Sequence, residues 1–204
     1  MAVAAVDGTE LRALYGTPGD LAARKILARL DVHCRRFVEL SPFLVLGTSD
    51  ADGRQDVSPR GDAPGFVRVL DDRTLLLPDR PGNNRVDSLG NVAAHPQVAL
   101  LFFVPGVDET LRVNGSARIV TDPELLAPSA VNGKVPRSGL LIAVEECFLH
   151  CGKALIRSRL WDPAQRIERR SFPTLARMIA DQIAGVDARE AERAVDDSYR
   201  NTLY

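Results

Sequence analysis

The stretch of sequence that decides the fold covers residues 74–103 and reads TLLLPDRPGNNRVDSLGNVAAHPQVALLFF. It begins and ends with apolar, β-prone runs, and between them a Pro-Gly turn is followed by a polar segment that stops at His95 and Pro96. This order predicts a strand, a turn, a short helix over residues 83–94 and a second strand. The helix is expected to end before Pro96, because a residue that precedes proline disfavours the helical backbone.

Further short runs with strand character lie on both sides of this stretch. They are separated by turn sequences such as DADG at residues 50–53, and they cover residues 43–49, 55–58, 65–70, 110–120 and 140–149. Together with residues 74–77 and 98–104, short strands at this spacing predict a mainly β fold with flanking helices (α+β), built on a small antiparallel barrel.

Helical patterns occupy both ends of the chain. Residues 9–40 predict three helices, the third over about residues 32–40, and residues 173–184 and 187–199 predict two more. We therefore divide the chain into an N-terminal helical extension (residues 1–40), a β-barrel domain (residues 41–161) and a C-terminal helical extension (residues 162–204).

Composition limits the class of function. The chain has a net charge of −1, so no overall field favours nucleic acid or an anionic membrane. The longest apolar run, residues 98–104, is too short to span a bilayer, and the start of the chain lacks a signal-peptide pattern. Three cysteines without CxxC spacing and three separated histidines predict a cytoplasmic protein with reduced thiols and no metal site.

Three clusters of residues could hold an anion. The first would present donors at the start of the predicted helix, the second would bring a glycine and an arginine to the end of a strand, and the third would place two cations on one helix face. Local sequence leaves one alternative open for each: a helix cap with a solvated arginine for the first, a plain turn for the second, and a core or interface role for the third. The clusters are, in that order, Pro78, Arg80, Asn83, Asn84 and Arg85; Ser58, Pro59, Arg60, Gly61 and Asp62; and Lys153 and Arg157.

The order of these motifs resembles the pyridoxamine 5′-phosphate oxidase-related, FMN-binding proteins. The resemblance covers roughly residues 40–121, from the strand ending in SPRGD through residues 74–103 to TLRVNGSARI. HCGKALIRSRLWDP, which begins at His150, is similar to the C-terminal signature of one branch of that family. The resemblance implies a six-stranded antiparallel split β-barrel that forms a homodimer, with FMN in each cleft between the subunits.

The resemblance also assigns roles to residues. The family's Ser-Arg-Lys run, which binds the FMN phosphate, falls on Asn83, Asn84 and Arg85, where only one residue is cationic. The missing charge would come from Arg60 and Arg80, and from Lys153 or Arg157 of the other subunit. The strand motif that lines the flavin ring maps onto residues 58–63, without its first Arg and its final Lys. Thr110 takes the place of a family Gln.

The function implied is an FMN-dependent oxidoreductase that acts on a small organic substrate, with NAD(P)H as a candidate electron donor. The family's oxidase ends in an Arg-Leu segment that binds substrate phosphate, whereas this chain ends in the acidic sequence AERAVDDSYRNTLY. True pyridoxamine-phosphate oxidase activity is therefore not expected. Two alternatives stay open: a flavin carrier or sensor without turnover, and a split barrel that binds the deazaflavin F420 or haem.

Overall fold

A computed structural model describes residues 5–204 of the protein. The helices are α1 (Gly8–Tyr15), α2 (Asp20–Arg24), α3 (Val32–Leu40), α4 (Asp87–Ala94), α5 (Pro123–Leu126), α6 (Lys153–Ser158), α7 (Leu175–Gln182) and α8 (Ala188–Asn201). Short 3₁₀ turns cover Ala127–Ser129, Pro163–Gln165 and Arg169–Ser171. None of the helices in this part of the chain is long and apolar enough to cross a membrane.

The strands form one antiparallel sheet. They are β1 (Phe43–Ser49), β2 (Gln55–Gly61), β3 (Arg68–Val69), β4 (Thr74–Pro78), β5 (Gln97–Phe103), β6 (Thr110–Val120) and β7 (Gly139–His150). Their order across the sheet is β2-β1-β5-β6-β7-β4-β3. Within residues 5–204 the edge strands β2 and β3 do not pair with each other, so the hydrogen-bonded sheet is not closed.

The prediction of an antiparallel, mainly β fold with helices is confirmed, but the strand count of six was wrong. The sheet has seven strands, because Arg68 and Val69 pair with Leu76 and Leu75 as a separate short strand. The segment predicted as a longer strand, residues 65–70, starts instead with a turn at Gly65, whose φ is +81°. At the other edge, Pro59 lies in β2, where its lack of an N–H group is tolerated.

The core lies on the inner face of this sheet. Leu44, Leu46, Leu100 and Phe102 alternate with outward-facing neighbours along β1 and β5, and each of the four is almost fully buried. Helix α3 packs onto the same core with its buried apolar side chains. Asp31 caps its first turn by accepting a hydrogen bond from the Cys34 backbone N–H over 2.8 Å.

A backbone segment covers the edge of β7 that β4 leaves free. The backbones of Leu27 and Cys147 exchange two hydrogen bonds, of 3.0 and 2.8 Å. The backbone N–H of Leu30 donates to the carbonyl of Asp72 over 2.8 Å. The segment preceding α3 is thereby held against the outer half of β7, which satisfies backbone groups that an exposed edge would leave open.

Candidate functional site

Strand β2 divides the predicted segment Ser58–Asp62 between two faces. Ser58 lies opposite Leu46 and Arg60 opposite Leu44, so these two side chains point to the inner face, while Pro59 and Gly61 point outward. On the inner side the Ser58 hydroxyl lies 3.1 Å from the hydroxyl of Ser88 in α4. Helix α4 therefore covers the polar end of β2.

The start of α4 differs from the prediction. We expected a helix from residue 83, but α4 begins at Asp87. Asn84 and Val86 have φ values of +58° and +53°, and the Asn83 side chain accepts a hydrogen bond from the Arg85 backbone N–H over 3.1 Å. These contacts form a turn in place of the first helical turn, because Asn readily adopts the left-handed backbone and closes turns with its own side chain.

The left-handed conformation of Val86 is unfavourable for a β-branched residue. Such strained backbone persists where surrounding structure fixes it, and it is concentrated at ligand sites. Residues 81–87 are all exposed, so core packing does not explain the strain at Val86.

All three arginines of the candidate phosphate site have a carboxylate partner. Arg60 Nη1 lies 3.1 Å from Asp79 Oδ1, Arg80 Nε lies 2.6 Å from Asp62 Oδ2, and Arg85 Nε lies 2.7 Å from Asp87 Oδ2. The hydrogen bond and negative charge of Asp87 raise the pKa of Arg85. The charge that a phosphate would need is thus neutralised within one chain.

The pair between Arg80 and Asp62 is the most buried of the three. The Asp62 side chain is 3% exposed, and it also accepts hydrogen bonds from the Ala63 backbone N–H and the Tyr204 hydroxyl. Burial raises the pKa of Asp62, but the hydrogen bonds from Ala63, Tyr204 and Arg80 and the charge of Arg80 lower it by more, so its pKa lies below the ordinary value. Asp62 is therefore a fixed anion that orients Arg80.

Besides Asp62, Arg80 contacts two further segments of the chain. Its Nη1 donates to the carbonyl of Ser129 over 2.8 Å, and its guanidinium lies 5.9 Å from the centre of the Tyr204 ring. The carbonyl of Tyr204 accepts a hydrogen bond from Lys134 over 2.8 Å. The last described residue of the chain thus lies against the predicted cofactor segment.

Beside the turn, an open cleft of about 510 Å³ lies between α4 and the hairpin of β1 and β2. Its floor is a polar network in which Asn91 donates to Thr48 over 3.0 Å and to Asp56 over 3.2 Å, and Thr48 donates to Asp56 over 3.0 Å. Arg85 lines the cleft, and so do Arg54 and three aspartates, so the lining has no excess of positive charge.

The structure brings some of the predicted residues together and separates others. Ser58, Arg60, Asp62, Arg80 and Pro78 lie around the adjoining ends of β2 and β4, and Asn83, Asn84 and Arg85 form the neighbouring turn. Thr110 is at the start of β6, opposite His150. Lys153 and Arg157 are exposed on α6, and within residues 5–204 neither has an ion-pair partner.

Sequence reasoning missed Ser88, Asp79 and Tyr204 as partners of this site. Ser88 was assigned to the interior of the predicted helix, and Asp79 was not distinguished from the rest of its turn. Tyr204 contacts Asp62 across 142 positions of the chain, so local patterns could not have indicated it.

The outer face of the sheet carries apolar side chains that the protein leaves partly uncovered. Phe43, 40% exposed, packs near Phe103 with ring centres 6.1 Å apart, and Val57 is 69% exposed. Val45 and Leu101 lie opposite each other on the same face and are half-buried. A contiguous apolar surface of this kind is typical of a protein–protein contact.

The comparison with protein families matches residues 30–151 to the pyridoxamine 5′-phosphate oxidase family. The chain belongs to this family. The matched region contains all seven strands and α4, so it includes the sheet and both predicted phosphate-binding segments. No match was found among curated proteins.

Solved structures of low sequence identity are also similar to this family member. The tagged HupZ protein of Group A Streptococcus is 17% identical, with a TM-score of 0.46, and the alignment covers 59% of this chain and 93% of that one. An FMN-binding protein from Syntrophomonas wolfei is 12% identical, with a TM-score of 0.44 and coverages of 57% and 88%. A conserved hypothetical protein from Mycobacterium tuberculosis is 17% identical, with a TM-score of 0.47 and coverages of 73% and 98%.

The candidate site contains the kinds of hydrogen-bond donors that bind a phosphate group. Within one chain, however, carboxylates neutralise the positive charge of its arginines. Hydroxyls of Ser58 and Ser88 and the guanidinium groups of Arg60 and Arg85 are the donors that phosphate accepts from. Because Asp79 and Asp87 neutralise the two arginines, a bound phosphate needs further cations. Within one copy of the chain the fit is therefore incomplete in charge.

Proposed function

We propose that this family member binds FMN between two copies of the chain and acts as an FMN-dependent oxidoreductase on a small organic substrate. The observation that carries the proposal is the family match, which spans the whole sheet and the strained turn at Val86. When bound, FMN would supply the redox chemistry by accepting and donating electrons, and the residues of the turn and of β2 would bind and orient it.

The proposal includes a second copy of the chain because the outer face of the sheet carries partly uncovered apolar side chains. The apolar surface around Phe43, Phe103 and Val57 would be buried if a second sheet packed against it. We propose that each chain forms a split barrel, that two such barrels pair through this face as a homodimer, and that the C-terminal extension after residue 161 lies outside the barrel, whereas α3 of the N-terminal extension packs on its core.

For the phosphate, we propose contacts from the turn and from β2, with added charge from α6 of the second copy. Asn83, Asn84, Arg85 and Arg60 would donate to it, and Lys153 or Arg157 of the partner subunit would supply positive charge. The support is that both α6 cations are exposed, whereas Arg60 and Arg85 are each paired with a carboxylate.

Substitution of Arg85 tests the phosphate assignment. Arg85→Ala should lower the FMN content of the purified protein, because one donor of the turn is lost. Arg36→Ala is a matched control, since Arg36 is also an exposed arginine with a neighbouring carboxylate partner but lies on α3. Equal flavin content in wild type and both variants contradicts the assignment of Arg85.

A flavin carrier or sensor is a second candidate, and one observation favours it. Within residues 5–204, ion pairs engage Arg60, Arg80 and Arg85 together with their carboxylate partners, so these groups are not free to act as acid or base in substrate chemistry. Anaerobic reduction by NADPH followed by reoxidation with candidate substrates separates the two functions. Reduction and substrate-dependent reoxidation support the enzyme, and a flavin that NADPH does not reduce supports the carrier.

A further inference from the structure

The side chain of Tyr204 lies in a polar notch formed by Asp62, Arg80 and Lys134. Its hydroxyl donates to Asp62 Oδ1 over 2.8 Å, and the Arg80 guanidinium lies 5.9 Å from the centre of its ring. At the other end of the residue, Lys134 Nζ donates to the backbone carbonyl of Tyr204 over 2.8 Å. Three groups on the sheet and its loops thus contact one aromatic residue at its hydroxyl, its ring and its carbonyl oxygen.

The sheet and its neighbouring loops fix the acidic and basic walls of the notch without help from Tyr204. Asp62 directly follows β2, and its backbone N–H donates to the carbonyl of Pro42 over 3.0 Å. Arg80 donates to Asp62 Oδ2 over 2.6 Å and to the carbonyl of Ser129 over 2.8 Å. The carboxylate and the guanidinium are therefore held relative to each other by contacts that do not involve the ring.

Tyr204 enters the notch from a segment that packs little on the sheet. It lies beyond the end of α8 at Asn201, and its neighbour Leu203 is 63% exposed. Helices α7 and α8 pack mainly on each other. A ligand that makes the same contacts with the fixed walls can therefore compete with this side chain, because binding shifts the population toward the state in which the segment is released.

The notch favours a hydroxyl group attached to an aromatic ring. The low pKa of Asp62 keeps it ionised, so its oxygens only accept hydrogen bonds. The hydrogen bond to Asp62 and the charge of that carboxylate raise the pKa of Tyr204, so a phenol in this position keeps its proton and acts as the donor. The guanidinium of Arg80 is attracted to the face of an aromatic ring, and Lys134 adds a positive charge that suits a carboxylate.

We propose that Asp62, Arg80 and Lys134 form a binding site for a small hydroxyphenyl carboxylate, which competes with the Tyr204 side chain for the notch. The three residues do not belong to the apolar outer face around Phe43 that the second copy would bury, and they are not among the donors proposed for the FMN phosphate. That the bound molecule is a substrate of the oxidoreductase rests on the proposed function, whereas its binding does not.

Isothermal titration calorimetry with 3-(4-hydroxyphenyl)propionate tests this proposal, because that molecule reproduces tyrosine from its hydroxyl to its carbonyl carbon. Tyr204→Ala removes the competing ring and should bind the probe saturably, about tenfold or more tightly than wild type. Tyr199→Ala is the control, since Tyr199 is an exposed tyrosine of α8, and it should bind like wild type. No saturable binding to Tyr204→Ala, or equal affinity in Tyr204→Ala and wild type, overturns the proposal.

Two further comparisons, both made with Tyr204→Ala, test the assigned contacts. The analogue 3-phenylpropionate lacks the hydroxyl that donates to Asp62, so it should bind about tenfold more weakly than the hydroxylated probe. An added Lys134→Ala change should weaken binding about threefold, the effect of one exposed charge pair. Arg137→Ala, at an exposed cation of the same loop, should not weaken it. Equal binding of the two propionates, or equal effects of the two loop changes, overturns the assignment.

Hydrogen exchange in the wild-type protein tests the competition without any substitution. At a saturating concentration, 3-(4-hydroxyphenyl)propionate should release Tyr204 and speed amide exchange in α8, and the same concentration of 3-phenylpropionate should not. Unchanged exchange in α8 with the hydroxylated probe would show that it does not displace Tyr204, which overturns the proposal.

Flavin content separates this inference from the proposed function. Tyr204→Ala should retain as much FMN as wild type, because Tyr204 is not among the proposed phosphate donors. Saturable probe binding to a protein that holds no FMN would support the site and contradict the proposed function. Retention of FMN without any probe binding would overturn the site alone.

Discussion

The hydroxyl of Tyr204 donates a hydrogen bond to Asp62 over 2.8 Å and ties the C-terminal segment to the end of β2. The same carboxylate holds Arg80, so the contact joins the C-terminal helices to the predicted cofactor segment. Helices α7 and α8 pack mainly on each other, so the hydrogen bond between Tyr204 and Asp62 is important for their position on the sheet.

Removing the Tyr204 hydroxyl should weaken the attachment of the C-terminal segment to the end of β2. In Tyr204→Phe we expect faster amide hydrogen exchange in α8 and a higher pKa of Asp62, because one of the hydrogen bonds that stabilise its charged form is lost. Hydrogen exchange followed by mass spectrometry measures the first effect. Tyr199→Phe, a change at an exposed tyrosine of α8, should leave exchange unchanged. Equal exchange in both variants would contradict the role of the Tyr204–Asp62 hydrogen bond in holding α8.

The three cysteines should differ sharply in reactivity. Cys34 and Cys147 are buried, and burial raises the pKa of both thiols, whereas Cys151 is exposed. Because the thiolate is the reactive form, iodoacetamide at pH 8 should label Cys151 alone in the folded protein and all three after denaturation. Peptide mapping by mass spectrometry checks this. Rapid native labelling of Cys34 would contradict the packing of α3 on the core.

Gly115 lies at the irregularity in the ladder between β6 and β7. A Cβ atom there would lie 2.0 Å from the carbonyl oxygen of Ala143, a backbone atom that cannot move alone. Gly115→Ala should therefore lower the free energy of unfolding by about 1–3 kcal/mol, the usual range for overpacking. Urea denaturation measures the change.

Gly90 provides the matched control for Gly115. It lies in α4, and a Cβ atom there would meet nothing within 4 Å. Because alanine favours the helix more than glycine does, Gly90→Ala should raise stability by roughly 0.5–1 kcal/mol. If both variants lose stability equally, the close approach at Gly115 is not the cause.

The pKa of His150 should respond to its neighbours. Burial lowers it most, followed by the charges of Arg112 and Lys25, so Arg112→Ala should raise the pKa while leaving it below the ordinary value of 6.5. Since the unfolded chain binds the proton more tightly, His150 lowers stability as the pH falls through 6.5 toward the folded pKa. That loss should be smaller in Arg112→Ala. An NMR pH titration of both proteins checks the sign.

The sequence predicted much of the fold because the relevant signals are local. Helix α3 begins after Asp31 and ends before Pro42, as predicted, and the bounds of β1 and β6 also agree with the prediction. The start of α4 was wrong by four residues because Asn84 and Val86 adopt left-handed backbone, which composition does not reveal.

The candidate site was less predictable because its decisive contacts are long-range. The ion pair of Arg60 with Asp79 and the hydrogen bond from Tyr204 to Asp62 connect residues that only the fold brings together. Sequence patterns identified the cations and their residue types, but not the carboxylates that neutralise Arg60, Arg80 and Arg85 or the cations that remain unpaired.

Native mass spectrometry of the purified protein tests the central claim most directly. The account predicts a dimer that carries two FMN molecules, with the cofactor identified by its released mass. A monomer, or a dimer that holds no FMN and binds none when FMN is added, would contradict it.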